Sequence, residues 1–155
     1  MNIHLIAVGQ RMPGWVEAGY QEFAKRLPTE CRLLLHEIPA PKRGKNADIE
    51  RLRRQEGEKM QAALPRTAHV VALEVAGKAW STEQLSQRLH HWMGSGQDVA
   101  LLVGGPDGID PPLSQSANEY WSLSPLTLPH PLVRILIAEQ IYRAWSILKG
   151  HPYHR

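Results

Sequence analysis

Two stretches in the last third of the chain carry residue types that could do chemistry. The first is the tail "HPYHR", His151 to Arg155, which places two imidazoles, a phenol and a guanidinium side by side. An imidazole exchanges a proton near neutral pH, a phenol stacks and donates a hydrogen bond, and a guanidinium neutralises charge on oxygen. Chain ends are ordinarily frayed and polar, so a tail of this composition asks for a purpose. His151 and His154 have H-x-x-H spacing but no cysteine or carboxylate beside them, so no metal site is expected. The second stretch is "ALLVGGPDG", an apolar run ending in Gly104, Gly105, Pro106, Asp107 and Gly108. Such a turn lets a ligand or another backbone come close. It is neither GxxxxGK[ST] nor GxGxxG, and taken alone it is as readily an ordinary strand-to-helix turn. A third feature is the basic loop: Lys42, Arg43 and Lys45 around Gly44 could grip phosphate or form a solvated turn, while "RLRRQ" at 51–55 reads as a solvated helix face.

The elements that must position these residues alternate. "IHLIAVG" is strand-length and ends at Gly9, and a helix with Val16, Gly19, Tyr20, Phe23 and Leu27 at helical spacing follows and stops at Pro28. "RLLLHEI" is a second strand, and the loop "PAPKRGKNAD" leads to a charged helix from about Asp48 to Leu64 with Ile49, Leu52, Met60 and Leu64 inward. "HVVALEV" is the third strand. Ser81 and Gln84 form a capping box for a helix that buries Leu85, Leu89, Trp92 and Met93 and stops at Gly94. "DVALLVGG" is continuous in apolar residues, as strands buried on both faces are. After a short strand at "YWS", a helix starts near Pro131 and is apolar on almost every side from Leu132 to Leu148. A helix apolar all round must be buried all round, which one small domain cannot manage near its end, so a second copy should supply part of the coat as a twofold dimer.

Strand and helix alternating at this spacing predict an α/β fold with a mainly parallel sheet and helices on both faces, in one domain spanning 1–155. Length and composition agree: 155 residues with 43% apolar content suffice for one core. The most apolar stretch is broken by Arg134, Glu139 and Arg143, which argues against a membrane span, and the N-terminus lacks the marks of an export signal. A cytoplasmic location is expected. The single cysteine, Cys31, excludes an internal disulfide. A net charge of +3 permits a nucleic-acid partner without requiring one.

"LVGGPDG", then "WSLSPLTLPHPLVRILIAEQIYRAWSI", then "HPYHR" closely resemble the SPOUT-class RNA methyltransferases, and within them the branch that methylates N3 of a pseudouridine in 23S ribosomal RNA. The resemblance extends over the whole chain, including "IPAPKRGKNADI" and "LEVAGKAWST". It implies a C-terminal trefoil knot, homodimers and action on the assembled ribosome. It also implies that S-adenosyl-L-methionine sits in a cleft formed by Leu73, by Gly104 and Gly105, and by the loop Leu123, Ser124, Pro125, Leu126, Thr127 and Leu128. Without it those leucines would read as core. N3 of pseudouridine carries a proton between two carbonyls, so the reaction needs a base and a stabiliser of the resulting anion. On this reading Tyr153 stacks on or hydrogen-bonds the base, and Arg155 with Arg143 neutralises uracil oxygens or phosphate. Proton removal falls to His154 or to His130, with His154 the first choice because His130 also reads as a helix-start residue satisfying backbone groups. The tail of one subunit is expected to reach the cleft of the other. A non-catalytic rRNA-binding factor, and a related enzyme acting on a tRNA ribose or guanine, are the competing readings.

Overall fold

The computed structural model describes residues 1–155. Its elements in chain order are β1 (Asn2–Val8), α1 (Gly14–Ala24), β2 (Arg32–Ile38), α2 (Ile49–Ala63), β3 (His69–Ala79), α3 (Thr82–Gly94), β4 (Val99–Val103), α4 (Pro111–Gln115), β5 (Glu119–Ser122) and α5 (His130–Leu148). Short 3-10 turns cover Thr29–Cys31 and Pro152–His154. The five strands form one sheet in the order β2-β1-β4-β3-β5, and every neighbouring pair is parallel. β4, at the centre, is buried at each of its residues, which is why its sequence shows no alternation.

The pleat sends successive side chains to two cores. On one face Ile3, Leu5, Leu101 and Val71 meet Tyr20 of α1, Leu85, Leu89 and Trp92 of α3, and Ile137 and Ile141 of α5. On the other, Ile6, Val8, Ala100 and Leu102 meet Met60 of α2 and Ile109 and Leu113 around α4. The Ser81 capping box forms with both hydrogen bonds, Gln84 N–H to Ser81 Oγ at 3.1 Å and Ser81 N–H to Gln84 Oε1 at 2.8 Å. Asp48 caps α2 by accepting from the Arg51 amide. No helix is long and apolar enough to cross a membrane.

One expectation about helix faces needs correction. Ile49 is 48% exposed, not inward, because the turn of α2 that reaches the sheet begins at Leu52; the buried stripe is Leu52, Glu56, Gly57 and Met60. α5, as expected from its all-round apolar sequence, is not covered all round within one chain. The sheet, α1 and α3 take one side, which even holds the buried Arg134, while Leu132 and Leu136 stay 43% and 39% exposed.

The ladder between β3 and β5 slips. Leu73 and Lys78 both pair with Trp121, so Glu74–Gly77 are thrown out of the sheet as a bulge. That bulge is the first wall of the site.

Candidate active site

A cavity of about 630 Å³ opens at the carboxyl ends of β4, β3 and β5, three neighbouring strands. Parallel sheets place ligands there, because strand ends splay into loops whose backbone groups are not used by the ladder. Three segments supply most of its wall. Leu73–Ala76 come from the β3 bulge; Val103–Pro106, Gly108 and Ile109 from the glycine turn; Leu123, Ser124 and Leu126–Leu128 from the loop after β5. His130 and Val133 of α5 and Trp121 complete it. Of the nine residues expected to hold a cofactor, eight line this cavity, and Pro125 is the exception.

Gly104 and Gly105 are required by close approach, and Gly108 by its backbone angle, a φ of +82° with open space around its Cβ position. A Cβ on Gly104 would lie 2.6 Å from the carbonyl carbon of Gly108, where the turn folds back on itself through the Gly108 N–H to Gly105 C=O hydrogen bond. A Cβ on Gly105 would lie 2.9 Å from a carboxylate oxygen of Glu56. Any larger residue at either position would force the turn or its neighbours to shift.

The loop after β5 is self-supporting. Ser122 Oγ donates to the Ser124 carbonyl at 3.1 Å, and the Leu126 amide donates to Ser124 Oγ at 3.0 Å. Leu126 is left 69% exposed at the cavity mouth, more than any other large hydrophobic residue. Ten of the eighteen lining residues are apolar, and the one carboxylate among them, Glu74, accepts from the Ser114 hydroxyl. An apolar slot with few polar groups fits the faces of a flat heterocycle whose edges are read by loop backbone.

His130 stands in this wall. Burial, and next the nearby Arg134, hold its pKa below the ordinary histidine value, against a hydrogen bond to the Gly105 backbone. A neutral imidazole beside a ligand slot can accept a proton. Arg134, one turn on, is 2% exposed and locks the start of α5 to the sheet: its guanidinium donates to Glu37 Oε2 at 2.6 Å and to the Gly9 carbonyl at 2.8 Å.

The tail lies elsewhere in the same chain. Tyr153 Oη donates to Glu139 Oε2 at 2.9 Å, its ring packs on Tyr142 with centroids 4.6 Å apart, and the Arg143 guanidinium sits 5.0 Å from its centre. Arg143 and Gln140 also donate to the Glu139 carboxylate. Burial and the bond to Glu139 raise the Tyr153 pKa, so the phenol stays a donor. His154 Nδ1 is buried with no partner, and Arg155 is exposed. Arg143 lies thirteen positions along α5 from His130, roughly 20 Å of rise. The structure thus brings His130 to the cavity, whereas Arg143, Tyr153, His154 and Arg155 of the same chain gather near the far end of α5.

Sequence reasoning missed the bulge residues Glu74–Ala76, since no pattern of apolar spacing announces a register slip. It also missed Glu139 as the tail's anchor and Glu56 behind Gly105. Glu56 did leave a signal: it falls midway between Leu52 and Met60 on the apolar stripe of α2. The basic loop turns inward in part, with Arg43 ion-paired to Asp107 of the glycine turn, while Lys42 and Lys45 remain open.

Comparison with known proteins places the chain in a family. A family model described as "Predicted SPOUT methyltransferase" matches residues 1–154. Among curated proteins, the ribosomal RNA large subunit methyltransferase H of Hahella chejuensis is 64% identical over 155 residues, covering 100% of this chain and 99% of the relative. The protein of the same name from Thioalkalivibrio sulfidiphilus is 61% identical with the same coverage, and that from Pseudomonas aeruginosa is 59% identical over the full length of both.

Proposed function

Because this chain belongs to the SPOUT methyltransferase family, we propose that it methylates N3 of a pseudouridine in 23S ribosomal RNA, using S-adenosyl-L-methionine, as a homodimer acting on the assembled ribosome in the cytoplasm. The observation that carries this reading is the coincidence of the three loops with one apolar cavity that also holds His130, whose pKa burial lowers. S-adenosylmethionine would be held by Leu73, Gly104, Gly105 and the Leu123–Leu128 loop, and when bound it supplies an electrophilic methyl group. The convergence of these loops also fits a chain threaded as a trefoil knot.

The protein's own part is positioning and proton management. Leucines of the slot exclude water and fix a heterocycle between them, and alignment of this kind accounts for much of the barrier in a displacement reaction. His130, kept neutral by burial, takes the N3 proton of the target base or shares that role with His154 of a second subunit. Arg155 and Arg143 neutralise charge on the uracil oxygens, and Tyr153, held protonated, donates to them or stacks.

A twofold dimer would unite the two halves of the machinery. Leu132, Leu136, Gln140, Arg143 and Ile147 follow one another at helical spacing along α5, and the first two form an uncovered apolar stripe. An antiparallel pairing of two α5 helices about their midpoint, near Glu139, would set the Arg143–Arg155 end of one chain against the His130–Leu136 end of the other. Leu132 and Leu136 would then be covered. Phosphate near Lys42 and Lys45 would complete the grip on RNA.

The test is mass spectrometry of 23S rRNA from cells lacking the gene, complemented with wild type or with the Tyr153→Ala/His154→Ala double variant. Loss of one pseudouridine methyl, restored only by wild type, is expected; an unchanged methylation map refutes the assignment. Mixing a tail-deleted subunit with a Gly105→Leu subunit should restore about a quarter to a half of the wild-type sites if the tail acts across the dimer. No restoration places the tail's action within its own chain.

A further inference from the structure

Glu56 is the most anomalous side chain outside the machinery already described. It is 2% exposed, lies on the inward stripe of α2 with Leu52 and Met60, and neither carboxylate oxygen has a hydrogen-bond partner. A buried carboxylate without partners costs several kcal/mol, so about any such group calls for an explanation. Its place supplies one. Both oxygens lie within 3.0 Å of where a Gly105 Cβ would stand, directly behind the turn whose other side faces the cavity.

The neighbours make α2 a backing plate for that turn. Arg53, one turn before Glu56, donates to the Asp107 carbonyl at 3.3 Å. Arg43 of the basic loop is ion-paired with the Asp107 side chain. Gly57, the next residue, packs against Asp110 where α4 begins. Arg53, Glu56 and Gly57 therefore meet the segment 105–110 together with Arg43, and none of them lines the cavity.

We propose that Glu56 is a positioning residue, wedged under Gly105 from α2 so that the glycine turn keeps the shape that closes the cofactor slot. The inference rests on the cavity being the cofactor site. Size is the first requirement: the carboxyl fills the space that keeps Gly105 pressed toward the cavity. Absence of charge is the second. Burial raises the Glu56 pKa; Arg43 opposes that and Asp107 reinforces it, while Arg53 and Asp110 are the other charged groups packed around the site. The wedge is thus best suited to its place with its proton on.

The experiment measures binding of S-adenosylmethionine by calorimetry, alongside thermal unfolding, in wild type, Glu56→Gln, Glu56→Asp and Glu56→Ala. Glu56→Gln keeps size and lacks charge, so its affinity should stay within about twofold of wild type. Glu56→Asp and Glu56→Ala shorten or remove the wedge and should weaken binding about tenfold or more, a difference of about 1.4 kcal/mol per tenfold. A residue that merely supports the fold would lower the unfolding temperature without changing affinity. Folded Asp or Ala variants that bind within twofold of wild type overturn the proposal, and if Ala does not fold, the Asp and Gln pair decides it.

The pH dependence supplies a second readout. A carboxyl whose pKa is raised on folding favours the native state at low pH, and that advantage is lost as pH rises from the ordinary carboxyl range through the native value. The unfolding temperature of Glu56→Gln should therefore gain on wild type over that interval; a constant offset overturns the neutral-wedge argument. Should wild type bind no S-adenosylmethionine, the functional reading fails separately. Amide exchange in Gly104–Gly108 then tests the wedge alone: faster exchange in Glu56→Asp supports it, and unchanged exchange refutes it.

Discussion

Replacing Arg134 by methionine tests how the start of α5, and with it His130, is fixed. The guanidinium is buried and makes two charge-assisted hydrogen bonds, to Glu37 at 2.6 Å and to the Gly9 carbonyl at 2.8 Å. Methionine keeps most of the volume, so the cavity cost is small and the loss is electrostatic. A hydrogen bond from a charged donor contributes about 1.5–3 kcal/mol, and the Gly9 carbonyl would lose its donor outright. The Glu37 pair contributes less, about 1 kcal/mol, because Glu37 is 34% exposed and can rehydrate. Recovery of the desolvation cost of the arginine offsets part of both. The net is roughly 2–3 kcal/mol, which for a domain of this size lowers Tm by roughly 4–12 °C. Calorimetry on Arg134→Met, Glu37→Gln and the double variant measures the total and the coupling. A fall in Tm below 2 °C, or any rise, would refute the view that Arg134 pins the helix start, and would mean that apolar contacts of Ile137 and Ile141 suffice.

The remaining expectations concern titration and access. His130 has a lowered pKa, so it is neutral above the ordinary histidine range and gains its proton only at lower pH; methyl transfer should be flat at neutral pH and fall on the acid side. In Arg134→Met, removal of the nearby cation should move that acid limb to higher pH, and an unmoved limb in the rate profile would sink the role of His130. Cys31 is fully buried and its thiol is pushed up to about 12, chiefly by burial. It should not react with a disulfide reagent in the native protein and should react fully in denaturant; rapid native labelling would contradict the packing of the Thr29–Cys31 turn.

Much of this protein was legible in the chain itself, for reasons of local physics. Apolar runs of strand length, the Ser81–Gln84 box and Pro131 one residue into a helix are short-range signals, and the elements formed where they point. The apolar run before it likewise placed the glycine turn at a strand end, where parallel sheets put their ligands, whereas Leu73 and the leucine loop were assigned to the site only by the family resemblance. What only the tertiary structure decided depends on which segments meet. The slip at Trp121 that brings Glu74–Ala76 into the cavity wall arises between two strands distant in sequence. The burial of Arg134 depends on Glu37 and Gly9, and that of Glu56 on the close approach of Gly105. The separation of His130 from the tail is the plainest case. The family resemblance assigned both to one reaction, but within one chain the tail packs on Glu139, Tyr142 and Arg143 farther along the rigid α5, which sets Arg143 roughly 20 Å from His130, since each helical residue adds 1.5 Å of length.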